Sequence, residues 1–260
     1  MTEEAKMGER KIVTIHSYRG GTGKSNMTAN IAVCAQAAGK RVAVLDTDLQ
    51  SPGIHILFNF SQERIKLTLY DFLRGKCTIA QVAYDVSEHA GPEAPGKCWL
   101  VPASLNAQAI TQLLDEGYDI NRLSDNFDAL LDAFDLDYLF IDTHPGLNKE
   151  TMLAATLSDI LIILIRPDQQ DYYGTAVLTE IAAKLEVPRV WIIANKVHSR
   201  LDPAEFRERL QEVFGCEVLG LIPLSEDVAE LASEGLFVHR HPEHPISLRI
   251  RDITQRILSA

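Results

Sequence analysis

Short runs of apolar, mostly β-branched residues recur along the chain and alternate with stretches whose apolar positions repeat every three or four residues. The first pattern predicts strands at Ile12–Ile15, Val42–Leu45, Trp99–Val101, Tyr138–Ile141, Ile160–Ile165, Val190–Ala194 and Val218–Ile222. The second predicts helices at Ser25–Ala38, Asp119–Phe134, Lys149–Leu157, Gly174–Leu185, Pro203–Phe214 and Asp227–Glu234, with Ile246–Leu258 closing the chain. Strands that are apolar throughout, rather than alternating, are buried on both faces, and helices between them supply the crossovers that parallel pairing needs. The predicted fold class is therefore α/β: a doubly wound, mainly parallel sheet with helices on both faces, forming one domain over residues 11–260 behind a flexible tail at 1–10. Residues 52–97 are less regular and read as short helices followed by a Pro- and Gly-containing loop at Gly91–Gly96.

The first strand runs directly into Arg19-Gly20-Gly21-Thr22-Gly23-Lys24-Ser25 and then into a helix. A glycine-rich turn between strand and helix collects backbone N–H groups at the positive end of the helix, which is an anion site. Gly20, Gly21 and Gly23 let the backbone approach a phosphate, Lys24 can reach β- and γ-phosphates, and the Ser25 hydroxyl can sit on Mg²⁺. The strict P-loop has glycine five positions before the lysine, where this chain has Tyr18. It fits instead the deviant form, in which a basic residue precedes Gly-Gly-x-Gly-Lys-[Ser/Thr].

Two further motifs lie at strand ends. Asp46 and Asp48 end the second strand at Leu45-Asp46-Thr47-Asp48, where alternation puts both toward one side of the crevice beyond the sheet. Either could instead cap the following turn. Asp142, in Phe140-Ile141-Asp142-Thr143-His144-Pro145-Gly146, holds the Walker-B position at the end of an apolar strand. A lone histidine such as His144 in this loop is more often a polar filler than an acid or base.

These motifs, in this order, resemble the ParA/MinD family of nucleotide-dependent dimeric ATPases, with arginine at position 19 where the family usually has lysine. The resemblance implies slow hydrolysis of ATP, a homodimer in the ATP state, and a task in partitioning or spatially positioning a DNA or protein cargo through an adaptor. It implies ATP and Mg²⁺ as cofactors, with Gly20, Gly21, Thr22, Gly23, Lys24, Ser25 and Asn26 around the phosphates. Asn195, directly after a strand, matches the family's asparagine at the adenine ring, although an asparagine in a turn explains it as well. The metal would be held by Ser25, Asp46 and Asp142. Catalysis would fall to Lys24, to Asp48 as the residue that positions water, and to Arg19 reaching the partner subunit's phosphates; the plainer alternative makes Arg19 a solvated loop cation. The loop Arg166–Gln170 would lie near the dimer interface.

Composition narrows the partners. A net charge of −11 argues against bulk attraction to nucleic acid or anionic lipid. Residues 115–137 carry Asp115, Glu116, Asp119, Asp125, Asp128, Asp132, Asp135 and Asp137 against Arg122, a face unsuited to DNA phosphate. Basic residues in the C-terminal half leave room only for weak, non-specific DNA contact. Ile246, Ile250, Ile253 and Ile257 recur at helical spacing, but the segment has no Trp or Phe and contains Asp252, so docking on the sheet is favoured over a membrane helix. Cys34, Cys77, Cys98 and Cys216 form no Cys-x-x-Cys pair, and with the polar N-terminus they point to a reducing cytoplasm. Metal carriers of the Mrp or nitrogenase-reductase type would need paired or loop cysteines, and a bacterial tyrosine kinase would need tyrosines beyond Tyr173. A regulator or assembly factor without a positioning role, and an ATP-dependent small-molecule ligase, remain as alternatives.

Overall fold

The computed structural model describes residues 10–260 apart from 91, 92, 105, 107, 109, 112–114, 116–118, 120 and 232. Most of the expected tail, the start of the Gly91–Gly96 loop and Glu116 thus lie outside the described residues. Eight strands form one sheet: β1 Lys11–His16, β2 Arg41–Asp46, β3 Tyr84–Asp85, β4 Lys97–Val101, β5 Tyr138–Asp142, β6 Ile160–Ile165, β7 Val190–Val197 and β8 Glu217–Pro223. Their order is β3-β4-β2-β5-β1-β6-β7-β8, parallel throughout except for the antiparallel edge strand β3. The longer helices are α1 Lys24–Ala37, α2 Phe127–Phe134, α3 Lys149–Thr156, α4 Gln169–Lys184, α5 Pro203–Phe214 and α6 Pro245–Leu258.

Alternate strand residues feed opposite cores. Val13, Ile15, Val42, Val44 and Phe140 pack with Ile31 and Val33 of α1 and Ile250 and Ile253 of α6 on one face. Ala43, Leu45, Leu139 and Ile141 meet Phe127 and Leu130 of α2 on the other, where Phe206 and Leu210 of α5 also cover β7 and β8. The four isoleucines at positions 246, 250, 253 and 257 are buried, so α6 docks on the sheet. Among the described residues, no helix is long and apolar enough to cross a membrane.

The seven expected strands all form. The expected helix Asp119–Phe134 is instead interrupted: Asn121–Ser124 is one turn, and α2 begins only after Asn126, whose side-chain amide turns back to Arg122 O (2.8 Å). The predicted Asp227–Glu234 shortens to Glu226–Glu230, because Ser233 and Gly235 take positive φ (67° and 119°). α4 starts five residues before the expected Gly174, at Gln169, where Asp168 caps it by accepting from Asp171 N (3.0 Å). The two-residue β3 is too short to leave a period in the sequence.

One consequence of the strand order governs the site. β5 lies between β2 and β1, with Asp46 opposite Asp142 and Ile15 opposite Asp142 in the two registers. The three motif-bearing strands are therefore adjacent and end together.

Candidate nucleotide site

The turn after β1 is held by its own side chains. Ser17 Oγ donates to Arg19 O (2.7 Å), and the buried Thr22 hydroxyl donates to Ser17 Oγ (2.8 Å). Gly23 stands at the N-cap of α1 with φ of 95°, and a Cβ there would lie 2.6 Å from Asn195 Nδ2. The left-handed backbone favours glycine there, and a Cβ would also push the Asn195 amide from its place. Asn195 Nδ2 donates to Thr22 O (2.7 Å), and Lys196 Nζ donates to Gly21 O (2.8 Å). The end of β7 thus braces the turn from outside, and Asn195 also lines the neighbouring cleft.

A crevice of about 620 Å³ opens over the ends of β1, β2 and β5, lined by Gly20, Gly21, Gly23, Lys24, Ser25 and Asn26 on one side and Asp48 and His144 on the other. It continues into a cleft of about 260 Å³ between Gly23, Asn26, Met27 and Asn195 and the apolar Ile222, Val228, Phe237 and Ile246. A polar chamber beside an apolar slot suits a molecule with an anionic end and a flat ring. Thr22 is buried within the turn rather than lining either space.

Charge is concentrated at the floor. Burial pushes the Asp46 carboxyl well above the usual range, with Asp142 and Asp48 adding to the effect. Asp142 is pushed up to about 7 by burial, offset by a hydrogen bond from Ser25 and by Lys24. Burial lowers the Lys24 ammonium, and Asp142 and Asp48 oppose that shift. Asp46 Oδ2 has no hydrogen-bond partner although it is fully buried. Buried carboxylates short of positive charge, beside a serine hydroxyl, form a hard-oxygen donor set suited to Mg²⁺. Among the described residues no three His, Cys, Asp or Glu side chains form a protein-only metal cage, and Mg²⁺ at phosphates does not need one.

Arg19 lies outside the crevice. Its Nη1 sits 3.5 Å from Asp168 Oδ1 and 3.8 Å from Asp171 Oδ1, and the side chain is 40% exposed. Arg166 makes a two-point contact with the buried Asp171 through Nε (3.0 Å) and Nη2 (3.2 Å). The Arg166–Gln170 loop is thus tied to the glycine-rich turn of its own chain. Beside it the Tyr18 ring lies so close to Gly174 of α4 that a Cβ there would fall 2.1 Å from Tyr18 Cδ1.

A model of the CobQ/CobB/MinD/ParA nucleotide binding domain matches residues 13–238. The chain belongs to this family. An uncharacterised ATP-binding protein of Methanocaldococcus jannaschii is 26% identical over 249 residues, covering 95% of this chain and 88% of that protein. The septum site-determining protein MinD of Bacillus subtilis is 25% identical over 259 residues, covering 97% and 90%. Among solved structures, MinD of Pyrococcus horikoshii in complex with Mg-ADP superposes with a TM-score of 0.79 at 20% identity, covering 95% of this chain and 96% of that one. The fold is that of MinD and ParA proteins.

Sequence reasoning missed one pairing at the heart of the crevice. His144 Nδ1 lies 2.7 Å from Asp48 Oδ1. The residues are 96 positions apart, and only the adjacency of β2 and β5 could have joined them.

Proposed function

We propose that this chain is an ATP-driven switch that binds MgATP, dimerises in the ATP state, hydrolyses slowly and positions a cargo. The observation that carries the reading is the convergence of Lys24, Ser25, Asp48 and Asp142 at the joined ends of β1, β2 and β5. In this reading the backbone N–H groups of Gly20–Ser25 and the Lys24 ammonium bind the β- and γ-phosphates. Ser25, with Asp142 and Asp46 behind it, would hold Mg²⁺, which when bound neutralises charge on the phosphate oxygens. Asp48 orients water toward the γ-phosphate, and the apolar slot by Met27 and Phe237 takes the base.

Dimerisation is supported by Arg19, an arginine beside the P-loop that does not line its own crevice. Positioning is supported by the similarity to MinD, a septum site-determining protein. An adaptor protein is the expected cargo link, a cytoplasmic setting is expected, and DNA is at most a weak, backbone-only partner for so acidic a chain. The domain limits, a tail to residue 10 and one unit from 11 to 260, belong to the same proposal.

The test compares the parent with Asp48→Ala by phosphate release and light scattering. The variant is expected to bind MgATP, lose most turnover and accumulate as dimer. Undiminished turnover, or monomer only at saturating ATP, overturns the reading. Turnover that needs an added small substrate would favour a ligase.

A further inference from the structure

The loop that follows β5 is fastened along its length. Thr143 Oγ1 donates to Ile15 O (2.9 Å) and sits 2.7 Å from His16 Nδ1. With its own proton committed to Ile15 O, the threonine oxygen accepts from the His16 ring. Gly146 N donates to Ser17 O (3.2 Å), and the Thr151 hydroxyl donates to His144 O (3.3 Å). These bonds set where the His144 side chain can go. It goes to Asp48.

Asp48 Oδ1 accepts from Ser51 N (2.9 Å) and pairs with His144 Nδ1 (2.7 Å). An oxygen that already accepts a backbone N–H behaves as a carboxylate acceptor, so the imidazole donates Nδ1–H to it. Asp48 N in turn donates to Asp46 Oδ1 (3.1 Å), so the residue is anchored at its backbone as well. Both donors to the Asp48 carboxylate converge on Oδ1, which leaves Oδ2 as the oxygen open to a crevice ligand. A carboxylate on a two-bond stem has two rotatable torsions, and two donors at one oxygen remove most of that freedom.

We propose that His144 is a positioning residue for hydrolysis: by donating to Oδ1 it holds Asp48 with Oδ2 turned to the water that attacks the γ-phosphate. The inference rests on the reading of Asp48 given above. It requires no change of protonation, since neutral and charged imidazole both donate from Nδ1. It also links two motifs mechanically. His144 lies two residues from Asp142, so any movement of the post-β5 loop re-aims the carboxylate at the end of β2. The two strands hold Asp46 and Asp142 in register, Thr47 Oγ1 donates across to Asp142 O (2.8 Å), and the His144–Asp48 bond joins the loops farther out.

The experiment measures kcat and KM for ATP by phosphate release, and ATP affinity by calorimetry, for His144→Ala, His144→Asn, His144→Gln, Asp48→Ala and the double variant His144→Ala with Asp48→Ala. Loss of a hydrogen bond to a charged group that matters in the transition state lowers kcat about 10- to 100-fold. His144→Ala is expected to show that loss with KM and ATP affinity within about twofold of the parent. Asparagine places its Nδ2 donor where Nδ1 stands, so His144→Asn is expected to recover most of kcat. Glutamine carries its donor one carbon farther, near the Nε2 position, and His144→Gln is expected to stay low. The double variant is expected to be no slower than Asp48→Ala alone.

Parent-like turnover in His144→Ala, with Asp48→Ala slow, overturns the proposal and leaves the reading of Asp48 intact. Parent-like turnover in Asp48→Ala removes both. Recovery by glutamine and not asparagine assigns the work to Nε2 and overturns positioning through Nδ1. The asparagine and glutamine variants keep a polar side chain in the loop, so a folding failure of the alanine variant does not remove the test.

Discussion

Asp46 and Asp142 face each other across the paired ends of β2 and β5, each 1% exposed. Two carboxylates so placed cannot both carry charge cheaply without a cation between them and the solvent. That tension gives the nucleotide-free protein a defined pH dependence. An unfolded aspartate titrates near 3.8, whereas Asp142 in the fold is pushed up to about 7. Between those values the native state binds more protons than the unfolded state, so stability falls as pH rises through the window, and the full penalty stands above it. Asp142→Asn is therefore expected to stabilise the nucleotide-free protein, and to do so more at pH 8 than at pH 5, by on the order of 2 kcal/mol. His16, which burial drives down to about 3, works in the opposite sense as pH falls. Comparing variant and parent at each pH cancels its effect. Urea denaturation that shows an equal gain at both pH values, or a larger one at pH 5, would contradict the assignment.

Gly23 meets two independent constraints, a left-handed φ of 95° and Asn195 Nδ2 2.6 Å from where a Cβ would sit. Gly23→Ala should cost about 1–2 kcal/mol from the backbone alone, with further loss from displacing Asn195. Lys24→Ala keeps the turn and removes its ammonium. Both variants are expected to lose ATP binding by calorimetry, and Gly23→Ala should lower the melting temperature as well. Near-parent ATP affinity in Lys24→Ala would sink the P-loop reading.

The sheet was legible because its central strands are apolar on both faces, so the fully buried Ile160–Ile165 appears as an unbroken run. The site was legible where chemistry is local: Gly20–Ser25 sit consecutively, Asp46 and Asp142 each end a strand, and Asp48 follows two residues beyond β2 rather than within it. What the sequence could not show was contact across distance. His144 reads as filler until β5 is placed beside β2, and the contacts of Arg19 to Asp168 and Asp171 join positions at least 149 residues apart. Helix limits shifted where a side chain, not a period, sets them, as at Asp168 and Asn126.

Two of the C-terminal arginines, Arg249 and Arg256, are occupied by the fold. β8 is an edge strand, and Arg249 Nη1 donates to Leu221 O (2.9 Å) while Arg256 Nη1 donates to Leu219 O (2.6 Å). Ile253 of α6 packs onto Gly220 so closely that a Cβ there would lie 2.4 Å from Ile253 Cδ1. Ile253→Ala is expected to destabilise by about 2–5 kcal/mol, and the intact protein is not expected to sediment with anionic vesicles. Vesicle binding that Ile253→Ala abolishes without loss of stability would restore the membrane-helix alternative.

Arg19 is held within its own chain by a long, half-exposed contact to Asp168 (3.5 Å), which contributes at most about 1 kcal/mol, while the buried Asp171 behind it (3.8 Å) is already engaged by Arg166, so Arg19 is free to turn to a better anion. A phosphate is a better anion, because the planar guanidinium can engage two of its oxygens at once. The partner subunit's nucleotide would provide one if two crevices closed face to face. Arg19→Ala should then leave monomer ATP affinity nearly unchanged while removing ATP-induced dimerisation and most hydrolysis, with a rate loss on the order of 10³ if it acts as an arginine finger. Arg19→Lys should restore much of both, because the charge remains. Mixing Arg19→Ala with Asp48→Ala subunits decides between action within and across subunits. In the mixed dimer, one crevice has its own Asp48 and receives Arg19 from the other chain, so activity should reappear above the sum of the two variants. If heterodimers form, as shown by pull-down of differently tagged chains, and activity does not rise, Arg19 serves only its own subunit.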